Sequence, residues 1–230
     1  FPQFDIEFDN YGHTHDETNT EMTQSFVRSW IDGDHVFEKE IEVAWDEEAD
    51  QPLPDRFVEG TCPYCGETAR GDECDEGCQR HLEPGEIEDP ISTITGNPAE
   101  YRTRPHKFLR LSDFQEYLQG FLDRLEGTEN AQNQPREWIE GELQDLCITR
   151  DMDWGVDYPG EGEEELVLYV WVDAPIEYVS STKQYTEQVG ADEYAWEAVW
   201  KNHGTETEPD GGEIVHIIVH DIIQHHTVFW

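Results

Sequence analysis

Four of the five cysteines lie between positions 62 and 78, and this cluster constrains the fold more than any other feature of the sequence. The spacing is C-x2-C-x8-C-x3-C, and two short cysteine pairs of this kind can surround one tetrahedral zinc ion. We therefore predict a zinc knuckle over about residues 58–84, with the ligands Cys62, Cys65, Cys74 and Cys78. Four protein ligands leave no open coordination position, so the zinc is expected to be structural. The alternatives are free thiols, or a site in which His81 replaces one cysteine.

The charge of the chain is extreme, with 54 acidic and 14 basic residues and a net charge of −40. Aromatic residues make up 12% of the chain, which excludes a disordered acidic tail. An acidic excess spread over every segment favours a protein that stays hydrated in very high salt, as in halophiles. A charge of this sign argues against nucleic-acid partners at low salt. In molar salt the Debye length falls to ~3 Å, so local contacts decide instead.

Neither a signal peptide nor a membrane span is predicted. The N-terminus, FPQFDIEFD, is acidic and carries no basic region. The apolar run LVLYVWV is far shorter than the ~20 residues that a spanning helix needs. We therefore expect a soluble, cytoplasmic protein with no membrane partner, although the sequence does not indicate its oligomeric state.

The C-terminal third alternates between apolar strands and helices. LVLYVWVDAP has the nearly continuous apolar character of a strand buried on both faces, and EIVHIIVH resembles it. Helices are predicted for IEYVSSTKQYTEQVG, EYAWEAVWKNHG and DIIQHHTVFW, the last with Asp221 as its N-cap. This order predicts a parallel α/β sheet. Ligands in such sheets bind at the carboxyl ends of strands, where Trp171, Asp173 and Tyr178 fall.

The segment YVWVDAPIEY closely resembles the V-W-[FL]-D-A-P-I-G-Y segment of methionyl-tRNA synthetases. Four further segments resemble the same family in the same order, and together they cover essentially the whole chain. They are FDNYGHTH, LPDRFVEGTCPYCG, CITRDMDWG and EIVHIIVHDIIQHHTVFW. Related synthetases for leucine, isoleucine, valine or cysteine carry W-F-D-S, so the Ala-Pro step of this chain favours methionine.

The resemblance implies an α/β fold, in which a Rossmann-type parallel-sheet catalytic domain, partial in this chain, is interrupted by a connective-peptide insertion that bears the zinc knuckle. The implied boundaries are residues 1–34 for the end of the first catalytic half, 35–165 for the insertion and 166–230 for the start of the second half. The implied activity is that of a methionine–tRNA ligase, which joins methionine to ATP, with Mg²⁺, and transfers the methionyl group to tRNA(Met).

The resemblance also assigns residues to the site. The implied methionine pocket consists of Trp171, Ala174, Pro175, Tyr178, Ile222 and His226, with Trp230 packed behind it. Arg150 and Asp221 match polar residues of the active site. Soft apolar and aromatic walls suit a thioether, and a tyrosine or histidine can add one polar contact that rejects plain hydrocarbons.

The chain departs from the family pattern in two ways. It contains no His-x-Gly-His element and no Lys-Met-Ser-Lys-Ser-like loop, so we expect a central fragment that is inactive alone. Four positions also differ from the family residues: Glu177, Val219, His220 and His225.

The alternative function is a zinc-stabilised, non-catalytic interaction or tRNA-binding module derived from a synthetase. The only basic cluster of the sequence, between Arg102 and Arg110, could contact an acceptor stem. A solvated strand face explains the same cluster.

Overall fold

The computed structural model of the chain describes residues 1–74, 76–83, 85–141, 143–162, 166–201, 214–219 and 222–229. Its centre is a four-stranded antiparallel sheet built on the long pair β1 (Val36–Asp46) and β6 (Glu100–Leu109). Strands β2 (Gln51–Pro52) and β7 (Leu146–Cys147) complete the order β2-β1-β6-β7. In β1 the charged residues 38–40 are exposed, whereas Ile41, Ala44 and Asp46 are buried.

Two smaller sheets flank this centre. The first carries the cysteine knuckle and contains β4 (Thr68–Arg70), β3 (Val58–Thr61) and β5 (Glu88–Ser92), in that order. The second is the antiparallel pair β8 (Thr149–Asp151) and β9 (Leu166–Leu168).

Seven α-helices lie within the described residues. They are α1 (Glu17–Asp32), α2 (Gln115–Leu122), α3 (Glu129–Glu140), α4 (Val170–Asp173), α5 (Ile176–Val189), α6 (Trp196–Trp200) and α7 (Ile223–Thr227). The main apolar core joins α1, α2, α3, α4 and the end of α7 to β9, and a second core fills the knuckle sheet. None of the described helices is long and apolar enough to cross a membrane.

Helices α1 and α5 pack together and join the N-terminal segment to the C-terminal third of the chain. The buried hydroxyl of Ser180 donates to Oδ1 of Asn19 at 2.8 Å. The amide of Asn10 donates to Oε1 of Gln184 at 2.8 Å. The N-terminal loop and α1 are therefore fixed against the helix that follows Pro175.

The prediction of two long apolar strands in the C-terminal third is wrong in the extent of the first strand and in the formation of the second. The first ends at Leu168, and the chain turns into α4 from Val170. The second does not form, since residues 214–219 have no regular secondary structure and Ile217 is 95% exposed. Every strand pair among the described residues is antiparallel. An apolar run by itself does not distinguish a buried strand from a buried helix.

Candidate functional site

The four cysteines of the knuckle form one compact group. The sulfurs of Cys62, Cys65, Cys74 and Cys78 all lie within 4.8 Å of one another. The Sγ atoms of Cys62 and Cys78 are 3.8 Å apart, and those of Cys65 and Cys74 are 3.6 Å apart. A tetrahedron with Zn–S bonds of ~2.3 Å has edges of about 3.8 Å. The group therefore has the size that a tetrahedral metal ion requires.

Two tight turns place these sulfurs. The backbone N–H of Gly66 donates to the carbonyl of Cys62 at 2.9 Å, and that of Gln79 donates to the carbonyl of Cys74 at 3.0 Å. Gly77 lies inside the second turn, where an added Cβ would be 2.5 Å from Sγ of Cys65. The x3 spacing of the second pair thus works because the residue just before Cys78 has no side chain.

The thiols sit in unequal surroundings. Burial raises the pKa of Cys74 to about 12, and burial also raises the pKa of Cys78. The backbone N–H of Glu67 lowers the pKa of Cys65 to about 7. Because thiolates are the metal ligands, a bound cation must displace protons from the group, and its affinity must rise with pH.

His81 does not belong to the ligand group among the described residues. Its ring lies 5.9 Å from that of Phe229, in an edge-to-face arrangement. The four-cysteine set is therefore favoured over a set in which the histidine replaces one cysteine.

The residues predicted to line a methionine pocket come from two segments that meet in the structure. Trp171 of α4 lies in the first segment and His226 of α7 in the second, with ring centroids 6.3 Å apart. The hydroxyl of Tyr178 lies 2.9 Å from Nε2 of His226. This contact joins side chains 48 positions apart, so it depends on the tertiary fold.

Two hydrogen bonds select one tautomer of the neutral His226 ring. Its Nδ1 lies 2.9 Å from the carbonyl oxygen of Ile222, which can only accept. Nδ1 therefore carries the proton, and Nε2 accepts from the hydroxyl of Tyr178. Ile222 thus contributes through its backbone, and the ring is oriented at both ends.

Ala174 and Pro175 form the turn between α4 and α5, and so fix the separation of Trp171 from Tyr178. The N–H of Ala174 donates to the carbonyl of Val170 at 2.9 Å, and Pro175 is buried. Next to this turn, burial raises the pKa of Asp173 to about 6.

Arg150 contacts residues other than those predicted to line the methionine pocket. Its Nε donates to Asp55 at 2.7 Å, and its Nη1 donates to the carbonyls of Cys147 and Thr149 at 3.1 and 3.0 Å. The guanidinium also lies 4.0 Å from the ring centroid of Tyr169. Asp221 falls outside the described residues, as do His220 and Trp230.

Two further histidines lie against the residues predicted to line the methionine pocket. His225 stacks on Trp171, with ring centroids 3.8 Å apart. The ring of His216 lies 5.5 Å from Tyr178 and 5.4 Å from His226. The crowding of histidines near the C-terminus was the one signal for them, but it does not say which rings meet.

The basic cluster is neutralised by acidic neighbours. Arg104 pairs with Asp151 at 2.8 Å, and Lys107 pairs with Glu38 at 2.7 Å. Arg102 pairs with Glu47. These pairs favour a solvated strand face over a phosphate-binding surface.

Comparison with known proteins agrees with this geometry. The sequence model of the family described as tRNA synthetases class I (M) matches residues 1–230. The methionine–tRNA ligase of Natronomonas pharaonis is 88% identical over all of this chain and 33% of its own length. That of Haloarcula marismortui is 80% identical, again over the whole chain and 34% of its own length. The chain thus spans about a third of these curated relatives.

A solved structure shares the fold. The crystal structure of Mycobacterium tuberculosis methionyl-tRNA synthetase bound by methionyl-adenylate matches all of this chain and 38% of its own chain. The TM-score is 0.60 at 20% sequence identity. This likeness confirms the predicted class, a Rossmann-type synthetase fold. The chain therefore belongs to the family of the class I tRNA synthetases (M).

Proposed function

We propose that the chain is the central part of a methionine–tRNA ligase and contributes the methionine-binding wall of its active site. The observation that carries this proposal is the contact between Tyr178 and His226. It unites two separated segments, each of which resembles the same family. The substrates are methionine and ATP with Mg²⁺, and the partner is tRNA(Met).

The pocket wall suits the methionine side chain. The indole of Trp171, backed by His225, offers a flat, polarisable surface for a thioether. The hydroxyl of Tyr178 donates a hydrogen bond to Nε2 of His226 and adds a polar group to this wall. Ala174 and Pro175 add small apolar surface between the two rings.

Charged groups are proposed for the polar end of the substrates. Asp221 is the acid for the methionine amino group, and Arg150 is the cation for a carboxylate or phosphate. In the structure the Nε and Nη1 atoms of Arg150 are engaged by Asp55 and by two backbone carbonyls.

The metal of the knuckle is proposed to be zinc. The sulfur distances fit Zn–S bonds, and an all-thiolate set favours zinc over harder cations. The ion would cross-link the loops that carry Cys62 and Cys74, and it leaves no position open for substrate. The domain limits at residues 34, 35, 165 and 166 belong to the same proposal, with the knuckle sheet inside the insertion.

A chimaeric enzyme tests this function. Residues 1–230 replace the matching third of the Natronomonas pharaonis ligase, and methionine-dependent exchange of pyrophosphate into ATP is measured in molar KCl. We expect exchange that requires methionine. A folded chimaera without exchange, beside an active Natronomonas parent, would contradict the proposal. It would favour the alternative of a non-catalytic module.

A further inference from the structure

Two contacts tie the knuckle to the pocket. The first is the hydroxyl of Tyr169, which donates to the carboxylate of Asp72. Asp72 lies two residues before the ligand Cys74, and Tyr169 lies two residues before Trp171. Tyr169 is only 2% exposed, so its hydroxyl is shielded from solvent and relies on Asp72 for its hydrogen bond.

Arg150 holds the ring of Tyr169 in place. The guanidinium lies over the ring while it is bound to Asp55 at 2.7 Å. Asp55 packs directly on Gly71, three residues before the ligand Cys74, where an added Cβ would be 2.1 Å from the Asp55 carbonyl oxygen. The ring, the guanidinium and the base of the knuckle therefore form one packed unit.

The second contact is a row of aromatic rings. His81, three residues after the ligand Cys78, meets Phe229 at 5.9 Å. Phe229 meets His225 at 5.4 Å, and His225 stacks on Trp171 at 3.8 Å. This row reaches the other segment of the pocket wall and ends on the same indole.

We propose that Tyr169 and His81 are positioning residues through which the metal-loaded knuckle holds Trp171 in its pocket orientation. A structural zinc site is ordered only when metal is bound, so the positions of Asp72 and His81 depend on the metal. Loss of the metal releases the contact of Asp72 with Tyr169 and that of His81 with Phe229, so the indole of Trp171 is no longer held from either side. The proposal rests on the proposed function in one respect, namely that Trp171 binds substrate.

The decisive measurement follows Trp171 itself. The full-length chimaera is labelled with 5-fluorotryptophan, and the resonance of Trp171 is assigned from its loss in Trp171→Phe. Removal of zinc by a chelator is expected to shift or broaden this resonance in the parent. In the double variant Tyr169→Phe with His81→Ala, the resonance is expected to be the same with and without zinc.

Matched variants separate positioning from general damage. Tyr101→Phe loses a hydroxyl that donates to the carbonyl of Ile87 at 2.7 Å within the insertion, and it should keep the metal dependence of Trp171. His81→Phe restores a ring against Phe229 and should restore the parental response. The single variant Tyr169→Phe should lose part of the response, which covers the case that the double variant does not fold.

Kinetics give a second readout. Tyr169→Phe should raise the KM for methionine by roughly 5-fold or more while kcat changes less, within the usual range of coupling between sites. The proposal is contradicted if removal of zinc leaves the Trp171 resonance of the parent unchanged. It is also contradicted if removal of zinc changes this resonance equally in the parent, in Tyr169→Phe and in the double variant. If the parental chimaera shows no pyrophosphate exchange, only the proposed function is contradicted. The positioning role is still tested, because the Trp171 resonance is measured without substrate.

Discussion

Replacing Gly77 by alanine tests the geometry of the metal group most sharply. The new methyl carbon would lie 2.5 Å from Sγ of Cys65 and 3.0 Å from Sγ of Cys74. Ordinary contact needs about 3.5–4 Å, so the sulfur of Cys65 would have to retreat by roughly 1 Å. Zinc sites tolerate deviations of only about 0.2 Å from ideal bond lengths. The variant should therefore lose one effective ligand.

The expected loss of zinc affinity exceeds the ~10–100-fold that outer contacts of a metal site contribute. On the energy scale this corresponds to at least about 1.4–2.8 kcal/mol. The assay is competition for zinc with a fluorescent chelator, which yields an apparent Kd for each variant. Metal content per chain is measured in parallel on freshly purified protein.

Gly66→Ala is the matched control in the other turn. Gly66 has φ +77°, and an added Cβ would meet nothing within 4 Å. This variant is strained without displacing a sulfur, at a cost of about 1–2 kcal/mol. Zinc affinity should be lower in Gly77→Ala than in Gly66→Ala, because only the Gly77 substitution displaces a sulfur. Equal affinities in the two variants, or a Gly77→Ala variant that binds like the parent, would refute the steric reasoning.

Three further predictions concern the pocket and the surface. Tyr178→Phe removes the donor to Nε2 of His226, and should destabilise the fold by about 1 kcal/mol in thermal unfolding while it lowers kcat/KM for methionine in the chimaera; unchanged values for both would remove this bond from the account. Burial raises the pKa of Asp173 above its value in the unfolded chain, so the folded state binds the proton more tightly than the unfolded state. The stability that follows is fully present below pH ~4 and is lost as the pH rises through about 6. Asp173→Asn should therefore gain about 1–2 kcal/mol over the parent above pH 6 but not near pH 4 in denaturant unfolding, and a gain independent of pH would contradict the cause given. Charge reversal of Arg102 and Arg104 should leave tRNA affinity in filter binding within about 2-fold, because both cations already pair with acids, and a larger loss would restore the tRNA-contact hypothesis.

The cysteine group was predictable because its chemistry is local. Ligand spacing and the intervening glycine define two turns within 17 residues, and no distant part of the chain is needed. Helix α5 was predictable for a similar reason, since its pattern lies within the segment itself.

The strands around the pocket were harder to predict. Leu166–Leu168 is buried on both faces as expected, but the apolar run continues into α4 without a change of composition. The apolar residues 214–219 resemble a buried strand, yet within the described part of the chain they have no strand partner and remain mostly exposed. Burial of such a run depends on neighbours that its own sequence does not encode.

The contacts that carry the two proposals depend on tertiary structure. Tyr178 and His226 were predicted as pocket residues through the family resemblance, but their hydrogen bond was not. Tyr169 and Asp72 are 97 positions apart, and neither has a pattern that points to the other. The stack of His225 on Trp171 likewise follows from how α7 packs, which side-chain spacing leaves open.

The central claim is that Trp171, Tyr178 and His226 recognise a thioether side chain. Norleucine, in which a methylene replaces the sulfur, tests it most directly in the pyrophosphate exchange of the chimaera. We predict that the parent prefers methionine in kcat/KM, and that His226→Ala reduces this preference, because a plain apolar pocket cannot strongly reject an isostere. An unchanged ratio of methionine to norleucine in His226→Ala would contradict the account.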